Sequence, residues 1–399
     1  MNPVRNPYVP GAGAQPPELT GRTDLLEQAR ITLERVRIGR TPKSFIAVGL
    51  RGVGKTVLLN RVRKMAEEGS YRTSFVEAHE QKRLAELLVP HLRRLLLEFD
   101  RLGALNEQVK RSLRILKSFM SGLKLRYGDA ELSLDIDPEK GSADSGDLEA
   151  DLPELILAVG KAAAARDSAV ALLVDEIQYL SEPDMSALIM SIHRAVQEAA
   201  PVVMVGAGLP QVVGLTGRSK SYAERLFDFP QLNALGEEDA VRAVSGPAEQ
   251  EGARFERQAL LEIVRTTRGY PYFLQEWAYH AWNEAPGPLI RLRDVQVATA
   301  TALRRLDESF FRVRFDRLTP REKDYLRAMA ELGSGPHRSG DIADELNMTV
   351  QSAGPLRSGL IGKGMIYSPA HGDTAFTVPL FDEFLKRIMP TWRSRRTRP

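Results

Sequence analysis

Hydrophobic and polar positions change period several times along the chain, and each change marks an element. Asp24-Leu-Leu-Glu-Gln-Ala-Arg-Ile-Thr-Leu-Glu-Arg-Val36 carries apolar residues at helical spacing. Ser44-Phe-Ile-Ala-Val-Gly49 is a short apolar run ending in glycine, which predicts a buried parallel strand. Lys55 to Glu68 predicts a helix, Thr73-Ser-Phe-Val-Glu77 a second strand, and Lys82 to Lys124 two helices parted near Gly103. Leu123-Lys-Leu-Arg-Tyr127 and Glu131-Leu-Ser-Leu-Asp-Ile136 then alternate around Gly128-Asp129, the pattern of a β-hairpin. Residues 137–151 are acidic and loop-like. Ala169-Val-Ala-Leu-Leu-Val174 predicts a third strand, Asp184 to Ala199 a helix with Pro183 near its start, and Val202-Val-Met-Val205 a fourth strand.

Strand–helix alternation of this kind implies a three-layer α/β domain with a parallel sheet. It spans residues 18–235, with an insertion at about 104–151. Residues 1–17, rich in Pro, Gly and Asn, form an extended arm. After about Leu235 the strand signal disappears, and 236–315 is expected to be a helical subdomain. A last unit at 316–390 predicts helices at 319–332, 338–346 and 349–361, strand-like pieces around Ile366 and Phe376, and a helix from Leu380 to Ile388. That order resembles a winged helix. The tail 391–399 is basic.

Composition narrows the chemistry. The 399 residues suit two to three domains, and 43% hydrophobic with 27% charged lies in the globular range. The absence of cysteine rules out a disulfide framework, a thiolate zinc site and a Cys nucleophile. The N-terminus shows no apolar segment of a secretory signal, and a cytoplasmic location is expected. The uncharged window Ala199 to Gly217 is broken by Pro201, Pro210 and glycines, so it predicts a buried strand plus a turn rather than a span. A formal charge of +3 gives no basis for nucleic-acid binding by the whole surface.

Gly49-Leu-Arg-Gly52-Val-Gly54-Lys55-Thr56 matches G-x-x-x-x-G-K-[ST] between a predicted strand and a predicted helix. Its glycines let backbone N–H groups curl around phosphate oxygens. The backbone of Gly49, Gly52, Val53, Gly54 and the helix start through Val57 is expected to cradle ATP. Lys55 is expected to reach the β- and γ-phosphates, and Thr56 to hold Mg2+. The apolar run Ala171-Leu172-Leu173-Val174 delivers Asp175-Glu176 at a strand end. Asp175 is expected in the Mg2+ shell, and Glu176 to orient and deprotonate the attacking water.

With these residues in view, the chain resembles the AAA+ ATPases, near the bacterial and archaeal branch of replication-initiator and origin-recognition ATPases, over about residues 18–390. Pro17-Glu-Leu-Thr-Gly21-Arg22, the P-loop, Asp175-Glu176-Ile-Gln178, Arg225 and the C-terminal pattern carry the resemblance. It implies that Leu19 and Arg22 lie near the adenine, and that Arg225 acts as an arginine finger on a neighbouring subunit's γ-phosphate. Two features depart from it. The fourth strand runs into Gly206-Ala-Gly208-Leu-Pro210 without the expected polar sensor residue. Arg268-Gly269-Tyr270-Pro271-Tyr272 stands where an arginine usually projects, and its Gly-x-Pro resembles the STAND class of signalling NTPases; Arg268 is a candidate substitute for the absent arginine.

Weaker signals have plainer explanations. His193 fits a packed helix position. Glu77 and His79 follow the second strand and could face the γ-phosphate or lie in a surface turn. Tyr270, Tyr272, Phe273, Trp277, Tyr279 and Trp282 recur at helical spacing, which fits core packing. Asp316 to Pro390 carries nine basic and ten acidic side chains, and the candidate recognition helix from Thr349 to Lys363 offers only Arg357 and Lys363, with Pro355 expected to break or kink it. Three readings stay open: an oligomeric ATPase assembling on double-stranded DNA, a STAND-like switch whose winged helix contacts protein, and a nucleotide-binding scaffold with little turnover.

Overall fold

A computed structural model describes residues 1–11, 19–101, 106–125 and 136–392. They form two compact units, one of Arg22–Gly49 and Lys55–Leu232, the other of Met1–Gly21, Leu50–Gly54 and Asn233–Pro399. No helix among the described residues is long and apolar enough to cross a membrane.

The first unit runs α1 (Thr23–Arg37), β1 (Ser44–Gly49), α2 (Lys55–Glu68), β2 (Tyr71–Glu77), α3 (Leu84–Arg101), α4 (Glu107–Gly122), α5 (Leu148–Ala164), β3 (Ala169–Asp175), α6 (Glu182–Gln197), β4 (Val202–Gly208), α7 (Gln211–Ser219), α8 (Ala223–Leu226), β5 (Phe227–Asp228) and β6 (Gln231–Leu232). The sheet order is β2-β3-β4-β1-β5, with β6 also on β1, and every pair is parallel. β1, β3 and β4 are buried at every residue, as strands covered on both faces must be. Alternate residues divide between the faces. Ile46, Val48, Val170, Leu172, Val174 and Met204 join a core with α3 to α6. Phe45, Ala47, Ala171, Leu173 and Val205 are also buried and take the opposite face, where α2 packs across β2, β3 and β4. This α/β sheet is the expected three-layer architecture. Its C-terminal edge, where Gly49, Asp175 and Gly208 end their strands, is where α/β sheets place ligands.

Three expectations need correction here. The acidic segment 137–151 is not all loop: Asp147 caps α5, accepting from the Glu149 N–H, and the helix runs to Ala164. It is buried around most of its circumference, so no polar face marks it in the sequence. After β4 the chain makes α7 rather than a turn. Leu123 and Lys124 lie in the turn closing α4, and neither Leu125 nor Ile136 is in a strand; the rest of the expected hairpin, 126–135, falls outside the described residues, as do 12–18, the expected helix break at 102–105, and 393–399.

The second unit contains α9 (Glu237–Gln250), β7 (Arg254–Phe255), α10 (Arg257–Thr267), α11 (Pro271–Glu284), β8 (Leu289–Ile290), α12 (Leu292–Arg305), a π-helical turn (Leu306–Phe311) and α13 (Arg312–Phe315). β7 and β8 pair over two residues each, too short for any period to announce them. Phe273, Trp277 and Trp282 are buried, Tyr272 stacks on Phe310 at 4.9 Å, and the Trp277 indole donates to Thr299, so the aromatic series is core. The arm is not free over its described part: Tyr8 is 2% exposed, its hydroxyl donates to the Val244 carbonyl, and the Trp282 indole donates to the Asn2 carbonyl.

The unit continues with α14 (Pro320–Leu332), β9 (His337–Arg338), α15 (Ser339–Glu345), α16 (Val350–Gly362), β10 (Ile366–Tyr367), β11 (Asp373–Phe376) and α17 (Phe381–Ile388). These last three strands form an antiparallel sheet in the order β10-β11-β9. Pro355 does not break α16. It forfeits one hydrogen bond, and the preceding Gly354 has no Cβ to clash with the proline ring.

Candidate functional site

The β1–α2 connection fits the backbone demands of a phosphate loop. Gly52 and Gly54 lie at φ +83° and +96°, a region costly for any residue with a Cβ. α2 opens at Lys55 with no acidic side chain in its first turn, leaving the positive end of the helix dipole for an anion. Val53 and Lys55 are buried, and Val57 lies half-buried in the first turn. The Lys55 ammonium donates to the Gly49 carbonyl at 3.0 Å, which folds the side chain back over the strand end.

Across the sheet edge, the Thr56 hydroxyl donates to Asp175 Oδ2 at 2.6 Å, while Oδ1 accepts the Glu176 N–H at 2.8 Å. Asp175 is 2% exposed. Burial pushes its carboxyl above the usual range, against those two hydrogen bonds and the Lys55 charge; the neighbouring Glu176 charge pushes the same way as burial. A buried carboxylate with a hydroxyl oxygen beside it is a donor set that suits a hard divalent cation, whose charge would relieve the burial cost. Thr56 and Asp175 therefore fit Mg2+.

Glu176 is half-buried at φ 49°, the left-handed region, rare for a residue with a side chain. Its carboxylate accepts from the Gln178 amide. Glu77 lies opposite Asp175 in the β2–β3 register but is exposed. His79 accepts the Gln81 N–H at 3.3 Å within its own turn, and His193 packs on Tyr222 at 4.8 Å.

The chain thus brings together Gly49, Lys55, Thr56, Asp175 and Glu176. Arg225 is elsewhere, exposed on α8, and among the described residues it forms no ion pair. Arg22 precedes α1 in the first unit, whereas Leu19 belongs to the second. Arg268 pairs with Glu383 of α17 at 3.1 Å. Sequence reasoning assigned no role to Gln178, although its amide contacts Glu176; the signal was its place two residues beyond, in Asp-Glu-Ile-Gln.

Residues 18–205 match the AAA ATPase domain, and residues 308–385 match a domain of unknown function, DUF8462. The fold is similar to the walker-type ATPase PABY2304 of Pyrococcus abyssi, with 17% identity and a TM-score of 0.55 over 93% of this chain and 97% of that one. The Aeropyrum pernix ORC1 protein, solved in complex with DNA, gives 17% identity and 0.47 over 96% of each chain. The Thermotoga maritima RuvB Holliday junction branch migration motor gives 13% and 0.45 over 94% and 96%. The last two likenesses are looser. No curated protein matches the sequence. The fold is that of a P-loop AAA+ ATPase, a nucleotide-binding architecture.

Proposed function

We propose that this protein hydrolyses ATP with Mg2+ and uses its nucleotide state to control assembly of its own copies. The observation that carries the reading is the Thr56–Asp175 hydrogen bond of 2.6 Å beside a lysine at a helix N-terminus. Lys55 exchanges the Gly49 carbonyl for β- and γ-phosphate oxygens. Thr56 and Asp175 would hold Mg2+, which would neutralise charge on the phosphates. Glu176 orients a water and takes its proton as the water oxygen attacks the γ-phosphorus and ADP leaves. Arg225, exposed and unpaired among the described residues, serves the γ-phosphate of a neighbouring copy.

We assign 18–235 to the nucleotide domain, 236–315 to a helical subdomain and 316–390 to a winged helix. The winged helix fits protein contact better than base reading, because its two basic candidates are already engaged. Arg357 donates to Thr374, Ser368 and the Asp373 carbonyl at 2.8–2.9 Å, and Lys363 pairs with Glu322 at 2.7 Å. This favours a STAND-like switch over an initiator that reads sequence. The test is phosphate release from Mg-ATP by the purified chain, with nucleotide binding measured in parallel. Lys55→Ala should lose ATP binding. Glu176→Gln should keep binding and lose turnover by about 10²-fold or more. Glu176→Gln turning over at the wild-type rate would rule out Glu176 as the base.

A further inference from the structure

The end of β4 lacks a polar side chain, and the structure gives a steric reason. A Cβ built on Gly208 would lie 2.9 Å from both Gln178 Oε1 and Ile177 Cγ2. One on Gly206 would lie 3.1 Å from Ile46 and 3.3 Å from Ile177. The volume that a β4 side chain would fill is taken by the turn after β3. That turn, Ile177–Tyr179, brings Gln178 back over the strand end.

The Gln178 amide is oriented by its partners. Its Oε1 accepts the Leu209 N–H at 2.9 Å, immediately after β4, so its nitrogen must face the other way, where it donates to Glu176 Oε2. One side chain therefore spans from the β4 terminus to the carboxylate at the β3 terminus. It needs an acceptor at one end and a donor at the other, which an amide supplies and a carboxylate does not. Glu176 meanwhile sits in a left-handed backbone conformation, which persists only where surroundings hold it.

We infer that Gln178 is a positioning residue for Glu176, supplying from the β3 side the polar link that the glycines of β4 cannot. It fixes the carboxylate in one orientation and ties it to the backbone just after β4. This rests on the proposed role of Glu176 in hydrolysis.

The discriminating variant is Gln178→Glu, which keeps the shape and the acceptor for the Leu209 N–H but sets one carboxylate against another. Gln178→Leu removes both links. Turnover, ATP affinity and the thermal midpoint are measured on the full chain. For Gln178→Glu, kcat should fall about ten- to a hundred-fold, the order lost when a reacting group is misplaced, while the dissociation constant for Mg-ATP stays within about twofold. Gln178→Leu should lose turnover similarly and also melt lower, because the Leu209 N–H loses its partner. A Gln178→Glu chain with wild-type kcat overturns the inference. So does a loss of turnover matched by an equal loss of ATP affinity and a lower midpoint, the signature of a merely structural residue. A wild-type chain that binds Mg-ATP without turning it over overturns the hydrolytic reading, and this inference with it.

Discussion

Gly269 lies at φ +68°, and a Cβ there would stand 2.3 Å from the Leu235 carbonyl oxygen. The Leu235 N–H in turn donates to the Gly269 carbonyl at 2.9 Å, so two backbone segments touch where only glycine fits. Two residues on, Pro271 opens α11 at a position where its missing N–H costs nothing. Close approach at Gly269 and helix initiation at Pro271 give the Gly-x-Pro element a role in the fold. Gly269→Ala should destabilise the second unit by at least about 2 kcal/mol, since left-handed strain adds to a backbone clash. Thermal unfolding followed by circular dichroism checks this; an unchanged midpoint would show that the Leu235 contact is not maintained in solution.

Elements are fixed by a few side chains that link them. Thr319 caps α14 by accepting the Glu322 N–H, and Glu322 accepts the Thr319 N–H in return, a reciprocal capping box. Glu322 also receives the Lys363 ammonium at 2.7 and 2.8 Å, tying α14 to the end of α16. Burial alone would raise the Glu322 carboxyl, but Lys363 and the Thr319 donors outweigh it and hold it below its usual 4.5. A lowered carboxyl stabilises the fold above its unfolded value, and that contribution disappears as pH falls through the folded value. Glu322→Gln should therefore cost about 1–2 kcal/mol at neutral pH, with the difference from wild type shrinking below about pH 4.5. Denaturant melts at pH 7 and pH 4 would show it; an equal difference at both would mean that charge is not the cause. With three hydrogen bonds to the β10–β11 region, Arg357→Ala should destabilise by about 1–3 kcal/mol. At temperatures where the variant remains folded, its affinity for labelled duplex DNA, read by fluorescence anisotropy, should be unchanged. A selective loss of DNA binding without loss of stability would return base reading to this helix.

Arg225 is exposed on α8, and no ion pair restrains it among the described residues. If it completes a neighbour's site, Arg225→Ala should bind ATP normally and lose turnover by up to ~10³-fold. Mixing is the sharper measurement. Arg225→Ala and Glu176→Gln copies, each inactive, should regain partial activity together, because a mixed interface pairs an intact arginine with an intact glutamate. Absence of recovery at every ratio, with mixing established by crosslinking, would place the complete site within one chain.

The central strands, the bounds of α2 and the placing of the Lys55-Thr56 and Asp175-Glu176 pairs at element ends are legible from the chain alone. These follow from local rules: a short apolar run needs two covered faces, a helix repeats every 3.6 residues, and a loop with backbone N–H groups turned inward needs glycines. Tertiary structure decided what local period cannot carry. α5 is buried around most of its circumference and so shows no polar face. Whether Arg357 and Lys363 face solvent or lock their own module depends on which surfaces fold against them, 41 residues apart along the chain for Lys363 and Glu322. Gln178 gained its place only because the β3 turn folds over the glycines that end β4. Side-chain type and spacing set what a residue can donate or accept; the partner that it meets is chosen by packing between segments distant in sequence.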